Sequence, residues 1–363
     1  MNISRYIIII SAAFFYLFLP LNPIFAQQSD ATMEAEVVWI IAERQVEVMG
    51  KIQPYQKLRF EIKTGLEQGK RVEYENGTLP MSIVNLYKVG DRVILGKSVS
   101  GEQGETYYIV DVVRRPVLFW LFGLFTLVTL LVARRKAIQA LIALFVSFGV
   151  IFWLVLPQIL NGHDPMVVSM LAAVLIIPVM FYLSHGWSTK THVAVTGTVL
   201  ALSVTAILST IFVNAAQLTG FASEEATFLQ GMKGDRFNIR GLILAGIIIG
   251  VLGILDDVTI SQAALVKELK NANPSLSRKR LFFQAMSVGT DHISSMINTL
   301  ILVYAGAAMP LLLLFLDSPR PITEIINYEI VAEEIVRTLV GSIGLVLAVP
   351  LTTILAVWKF NKG

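Results

Sequence analysis

The sequence contains no cysteine among its 363 residues, and only 15% of them are charged. The absence of cysteine excludes disulfide bonds and thiolate chemistry. Soluble globular domains carry roughly 25% charged residues, so the low charge argues against an ordinary soluble protein. The full Gly-x-x-x-x-Gly-Lys-Ser/Thr phosphate loop, Gly-x-Ser-x-Gly and His-Glu-x-x-His are also missing. We therefore predict that the protein is not an enzyme, and no motif requires a cofactor.

The chain instead has an excess of apolar residues, which make up 55% of it and give a mean hydropathy of +0.68. They concentrate in residues 116–363, whereas residues 27–115 have the composition of a soluble domain. A bilayer can cover such long apolar runs, and each run has about the 20 residues that a membrane helix needs. We predict a polytopic α-helical membrane protein with about seven spans: 116–133, 137–160, 166–183, 192–214, 241–260, 288–316 and 330–358.

The first residues have the pattern of an export signal. Arg5 precedes an apolar stretch from Tyr6 to Leu19, and Ala26 stands before a polar segment. Residues 1–26 are therefore predicted to be a signal peptide cleaved after Ala26, or an uncleaved N-terminal anchor. Both alternatives put residues 27–115 outside the cytoplasm.

Residues 27–115 predict a small β domain. Alternating polar and apolar residues at 44–48, 58–62 and 71–74 are typical of strands, and Asn76-Gly77 is typical of a turn. Five or six short strands favour a closed or partly closed β-barrel similar to an OB-fold. Acids and bases nearly balance, so we expect no nucleic-acid partner and consider another envelope protein as the partner of this domain.

The distribution of basic residues predicts the orientation. Lysine and arginine cluster at 134–136, 190, 267–280 and in the C-terminal tail. Seven alternating spans put all of these segments on the side opposite the β domain, as the positive-inside rule requires. The prediction is a bacterial inner-membrane protein with an extracytoplasmic β domain and a cytoplasmic C-terminus.

The fifth predicted span carries two adjacent carboxylates. Gly246, Gly250 and Gly253 share one helical face, which we expect to pack against another helix. The same face continues to Asp257, which we expect to point into the bundle, with Asp256 about 100° round the helix. Counting from the outer boundary puts Asp257 about 24 Å down a hydrocarbon layer of about 30 Å. The alternative is that both acids reach cytoplasmic water and merely end the span.

The sixth predicted span brings in Asp291 and His292 at nearly the depth of Asp256 and Asp257. Carboxylates and an imidazole suit a hard cation or a proton relay, although no particular metal is indicated. The alternative is that the polar groups only hydrogen-bond the two spans together. The polar residues expected to line the site are Thr259, Ser261, Gln262, Ser294, Ser295, Asn298 and Thr299.

These residues lie in recognisable motifs: Leu-Asp-Asp-Val-Thr-Ile-Ser-Gln at 255–262, Val-Gly-Thr-Asp-His-Ile-Ser-Ser-Met-Ile-Asn-Thr-Leu at 288–300 and Tyr-Ala-Gly-Ala-Ala-Met-Pro at 304–310. Over roughly residues 35–358 the chain resembles the YibE/F family of bacterial multi-pass membrane proteins. The resemblance implies a membrane architecture, but no activity and no catalytic residues.

Two functional hypotheses remain. The first is a membrane transporter or permeation protein for a small solute, such as a cation or a proton-coupled substrate, using the acidic site between the fifth and sixth spans. The second is a non-transporting membrane scaffold whose outer β domain binds another envelope protein.

Overall fold

The computed structural model describes residues 32–80, 84–100, 104–234 and 237–361. The chain forms two compact units, which divide between Leu131 and Val132. The predicted signal or anchor, residues 1–26, lies outside the described residues.

The first unit contains an antiparallel sheet in the order β3-β2-β1-β4-β5. Its strands are β1 Met33–Val48, β2 Lys51–Ile62, β3 Arg71–Asn76, β4 Arg92–Ser100 and β5 Gly104–Val112. β1 extends well beyond the predicted strand segment 44–48, and shifts in its register between Val37 and Ala42 mark an irregularity. Alternate residues such as Leu58, Phe60 and Ile62 are fully buried, so one face of the sheet forms the core.

The prediction of a β-barrel is wrong, because β3 and β5 remain the edges of an open sheet. Side chains rather than backbone hydrogen bonds connect the loop after β2 to β4 and β5. Lys97 Nζ lies 2.6 Å from both Glu67 Oε1 and Glu105 Oε1. Tyr107 donates its hydroxyl to Glu67 Oε2 at 2.5 Å, and Lys70 Nζ lies 3.0 Å from Glu105 Oε2.

Helices make up the rest of the described chain. They are α1 Arg115–Ala133, α2 Arg135–Val150, α3 Leu156–Leu160, α4 Pro165–His185, α5 Thr189–Ala215, α6 Glu224–Lys233, α7 Ile239–Ala272, α8 Arg278–Ala307, α9 Met309–Leu316, α10 Ile322–Ile325 and α11 Glu329–Phe360. A π-helical turn, Ile151–Val155, joins α2 to α3.

Six helices of the described part are long and apolar enough to cross a membrane: Arg115–Ala133, Lys136–Leu160, Pro165–His185, Thr189–Ala215, Ile239–Ala272 and Glu329–Phe360. They match six of the seven predicted spans. The remaining prediction, 288–316, falls on α8 and α9, which pass the same test together but are bent by 69°. Pro310 stands in the first turn of α9, where its ring is compatible with a helix start but not with a continuing helix. Several apolar helices indicate a multi-pass membrane protein.

The centre of the second unit is formed by α5, α7 and α11, which pack on one another, while α4 covers α7 and α8 packs on α11. Small residues allow these helices to approach closely. A methyl group at Gly344 of α11 would overlap the Thr205 hydroxyl of α5, and one at Gly197 would overlap the Thr352 hydroxyl. Helices in lipid associate through such close packing, because the surrounding acyl chains remove the usual hydrophobic driving force.

Polar contacts join several helix termini at one end of the bundle, which we call the Glu329 end. The Glu329 carboxylate accepts hydrogen bonds from the backbone nitrogens of Thr219 and Gly220 at 2.5 and 2.8 Å. Asn238 caps α7 and donates to Asp164, which caps α4. The C-terminus of α5 and the N-termini of α4, α7 and α11 therefore meet at this end.

Candidate functional site

The first part of the candidate site is the middle of α7. Leu255, Val258, Thr259 and Gln262 form the buried side of this helix. Asp257 lies two residues from both Leu255 and Thr259, about 200° round the helix, and is exposed. The expectation that Asp257 points into the bundle is therefore wrong, because the apolar and hydroxyl side chains occupy the face that packs.

Asp256, not Asp257, is the acid that reaches the protein interior. Its side chain is partly buried, and its Oδ1 atom has no hydrogen-bond partner among the described residues. Seventeen residues separate it from the first residue of α7, Ile239, which corresponds to about 26 Å along the helix. A carboxylate oxygen without a partner in a membrane helix is costly, so this residue is the leading site candidate.

Two predicted lining residues are instead buried in the helix contacts. The Thr259 and Thr198 hydroxyl oxygens lie 2.7 Å apart and connect α7 to α5. Gln262 donates to the Ala285 carbonyl oxygen of α8 at 3.1 Å and to the Thr353 hydroxyl of α11 at 2.8 Å. These contacts agree with the structural alternative for Thr259 and Gln262, whereas Ser261 is exposed.

The contact between Gln262 and Ala285 also fixes how far along the bundle Asp291 lies relative to Asp256. α7 and α8 run in opposite directions, so equal steps from this contact lead to equal levels. Asp256 is six residues before Gln262, and Asp291 is six residues after Ala285, about 9 Å along each helix. The two acids therefore lie at one level, as the sequence predicts.

The side chains at this level nevertheless do not form one cluster. Asp291, His292, Ser294, Ser295, Asn298 and Thr299 are all exposed on α8. Among the residues that the structure describes, no three His, Cys, Asp or Glu side chains are grouped so that they could hold a metal ion. The expected convergence of Asp256, Asp257, Asp291 and His292 is therefore absent within one described chain.

The three glycines of α7 also differ from the expectation of close packing. Gly246, Gly250 and Gly253 are exposed, and a Cβ atom at Gly253 would meet no atom within 4 Å. A Cβ at Gly246 would lie 4.0 Å from Arg337 Nη1, and one at Gly250 would lie 3.5 Å from the Tyr304 hydroxyl. We call this exposed surface the glycine groove. It extends from Arg337, near the Glu329 end, towards Asp257.

An ion pair in α11 is a candidate that the sequence analysis missed. Arg337 binds Glu333 through Nη2, and its Nε lies 3.7 Å from Glu334 Oε1. The Glu333 and Arg337 side chains are only 14% and 28% exposed. Both line a cavity of about 200 Å³, with Leu242, Ile243 and Gly246 of α7 among its other walls. The signal was available, since ionisable residues within an apolar span are functional candidates by default.

The comparisons with known proteins add one finding. The sequence profile of a family described as YibE/F-like protein matches residues 121–362, which is about two-thirds of the chain. The matched region includes α7, α8, α11 and every candidate residue named above. Comparisons with curated proteins and with solved structures gave no match.

Proposed function

The chain belongs to the YibE/F-like family, and we propose that it moves a small ion or solute across a membrane, with Asp256 as the central ionisable group. The observation that carries this proposal is the Asp256 Oδ1 atom, which is buried without a partner in the described chain. Uncompensated carboxylates in membrane helices face bundle interiors or water-filled cavities, and they mark ion and proton pathways.

The glycine groove supports a pathway from the level of Asp256 towards the Glu329 end. Arg337 lies beside Gly246, and Tyr304 lies beside Gly250. Asp257 is exposed further along the same face of α7. Glycine leaves the helix backbone uncovered, so a hydrated ion or a small polar solute can approach it. The ion pair of Glu333 and Arg337, which lines a cavity, would then be the polar site of this pathway nearest the Glu329 end.

The orientation that we propose is an inner-membrane protein with the β domain outside the cytoplasm. Lys190, Lys267 and Lys359 belong to the start of α5 and the ends of α7 and α11. All three therefore lie at the bundle end opposite the Glu329 end, and such a bias supports a cytoplasmic position for that end.

The test is transport by purified protein in proteoliposomes. Proton movement would be followed with a pH-sensitive dye inside the vesicles, and cation movement with radiolabelled Na⁺ and K⁺. We expect Asp256→Asn to abolish the flux and Glu268→Gln to retain it, since Glu268 is exposed on the same helix. Asp257→Asn and Asp291→Asn test whether the groove and α8 take part. Folded wild-type protein that transports none of the probes, or an Asp256→Asn variant of undiminished flux, would contradict the proposal.

The second candidate function is binding of another envelope protein. It is favoured by the tip of the β1–β2 hairpin, where Met49 and Ile52 are 87% and 78% exposed. Neighbouring exposed apolar side chains can mark a surface that contacts a partner. A photo-crosslinker at the neighbouring exposed position 51 would capture that partner in cells. Met49→Ser with Ile52→Ser should abolish the crosslink and leave any flux unchanged, whereas Asp256→Asn should do the reverse.

A further inference from the structure

One face of α8 carries polar side chains that nothing in the described chain covers. Asp291, Ser295 and Asn298 follow one another at helical spacing, with three further polar residues beside them: His292, Ser294 and Thr299. All six are exposed. Within the described residues, no side chain outside α8 hydrogen-bonds to any of them, and Thr299 bonds only to the Ser295 carbonyl oxygen of its own helix.

The opposite face of α8 is already occupied. Leu281, Ala285, Gly289 and Leu300 are buried, and a Cβ at Gly289 would touch Val349 of α11 and Gln262 of α7. The packed face therefore fixes the rotation of α8 and directs the polar face away from the bundle. Rotation of the helix cannot bury Asp291 without exposing Leu281 and Ala285 in its place.

This polar face lies at membrane depth. Asp291 is level with Asp256, and Ser295 and Asn298 follow towards the Glu329 end. A carboxylate, an imidazole and an amide facing acyl chains would each be costly, so the face must meet protein or water. The apolar segment from Tyr6 to Leu19, outside the described residues, carries no charge and only Ser11 and two tyrosines as polar groups. It could not neutralise Asp291.

The spacing of the residues identifies the occupant. Val288, Asp291, Ser295, Asn298, Leu302 and Ala305 recur at alternating steps of three and four, the seam of two helices that wrap around each other. Ser, Asn and Ala are small and permit a close approach. We propose that this seam binds the same seam of a second copy of the chain, with the two α8 helices parallel.

The seam is complementary to itself, as a two-fold symmetric interface requires. In a parallel pair the two Asp291 side chains approach each other, and His292, which flanks the seam, lies beside Asp291 of the other copy. The Asn298 amide carries two hydrogen-bond donors and an acceptor, so it pairs with Asn298 of the second copy. This pairing also sets the register of the two α8 helices. This association is independent of transport, although a pathway along α8 would then be completed by the second copy.

The absence of cysteine makes the test direct, because a single introduced cysteine cannot form a disulfide within its own chain, and a covalent dimer of the chain can link only two copies. Ser295→Cys, Asn298→Cys and Leu302→Cys are on the seam. Ile301→Cys and Val303→Cys are matched controls, since both positions are exposed on the same helix but lie about 80–100° away from the seam. Each protein would be oxidised in native membranes and analysed as a covalent dimer.

We expect at least a tenfold higher dimer yield from the three seam positions than from the two controls. Native mass spectrometry of the unmodified protein should also give a dimer or a larger oligomer, and Asn298→Leu should shift it towards the monomer. Equal yields at all five positions, or a monomeric unmodified protein with no crosslink, would overturn the proposal. An intramolecular disulfide in a Ser11→Cys, Ser295→Cys double variant would also overturn it, by making the N-terminal segment the occupant.

Discussion

Gln262 and Thr353 meet at the centre of the bundle, where the glutamine amide nitrogen lies 2.8 Å from the threonine hydroxyl oxygen. The same nitrogen donates to the Ala285 carbonyl oxygen, so one side chain joins α7, α8 and α11. Both partners are shielded from water and would lose the hydrogen bond from the amide, although Thr353 still donates to the Val349 carbonyl oxygen.

We expect Gln262→Ala to lower the free energy of unfolding by about 1–3 kcal/mol, since two interhelical hydrogen bonds at ~0.6–2 kcal/mol each and some packing are lost. The measurement is thermal unfolding of the purified protein in detergent. Gln284→Ala is the matched control, because Gln284 is exposed on α8. Equal destabilisation of the two variants would show that the buried hydrogen bonds contribute nothing.

Gly344 should not tolerate a methyl group, whereas Gly253 should. In Gly344→Ala the new methyl overlaps the Thr205 hydroxyl, which forces α5 and α11 apart and costs about 1–3 kcal/mol. Gly253→Ala meets open space and should be neutral or stabilising by up to about 1 kcal/mol, because alanine favours the helix. Thermal unfolding separates the two. Adding Thr205→Ala to Gly344→Ala should restore part of the loss, and no recovery would argue against a steric cause.

The ion pair of Glu333 and Arg337 should show a large coupling in a double-mutant cycle. Arg337→Met leaves Glu333 and Glu334 without their cation, and we expect a loss of about 1–3 kcal/mol. This value is below that of a fully buried pair, because Arg337 is 28% exposed. Glu333→Gln combined with Arg337→Met should be less destabilised than Arg337→Met alone. Strictly additive effects on the unfolding temperature would mean that the pair does not interact.

The ion-pair network of the β domain should respond to acid. The hydrogen bond from Lys97 lowers the pKa of Glu105 to about 2 from an ordinary 4.5, and Lys97 also lowers the pKa of Glu67. A carboxyl whose pKa is lower in the folded state stabilises it above the unfolded value, and that contribution disappears as the pH falls from about 4.5 to about 2.

Hydrogen exchange in β5, corrected for the intrinsic pH dependence, provides the measurement. At pH 6 Glu105→Gln should exchange modestly faster than the wild type, since exposed ion pairs contribute little each. By pH 2 most of the difference between the two proteins should be lost, because pH 2 is near the pKa of Glu105 in the folded protein. Glu47→Gln, at an exposed site on β1, should match the wild type throughout. A difference between Glu105→Gln and wild type that persists undiminished at pH 2 would exclude ionisation of Glu105 as its cause.

Much of the helical architecture could be predicted, because spans are set by local apolar length. Five predicted spans coincide with single helices, the second coincides with α2, the π-helical turn and α3 in succession, and the sixth differs through the bend between α8 and α9. Individual strands were also predictable from alternation. Closure of the sheet was not, since it depends on whether two distant edges, β3 and β5, form backbone hydrogen bonds.

The positions of the candidate residues along their helices could be predicted, but the direction in which their side chains point could not. Counting residues puts Asp256 and Asp291 at one level, because the rise per residue is fixed. Which face of α7 packs against the bundle depends on its partner helices. The face of glycines that ends at Asp257 was predicted to pack, and it is exposed instead. Leu255 and Val258 compete for the same contact with more apolar area, and they occupy it.

The 69° bend at Ala308 has a consequence for the surrounding lipid. α8 alone has 30 residues, about 45 Å, and exceeds the thickness of a hydrocarbon layer. α9 therefore need not complete a crossing, and in a bilayer its leucines, which include Leu314 and Leu316 at 68% and 83% exposure, would contact acyl chains. In a bilayer the bent pair of α8 and α9 would occupy more width than one straight helix. Membrane helices adapt to hydrophobic mismatch by changing their tilt. Bilayer thickness is therefore expected to influence the tilt of α8 and the sorting of this protein among membranes.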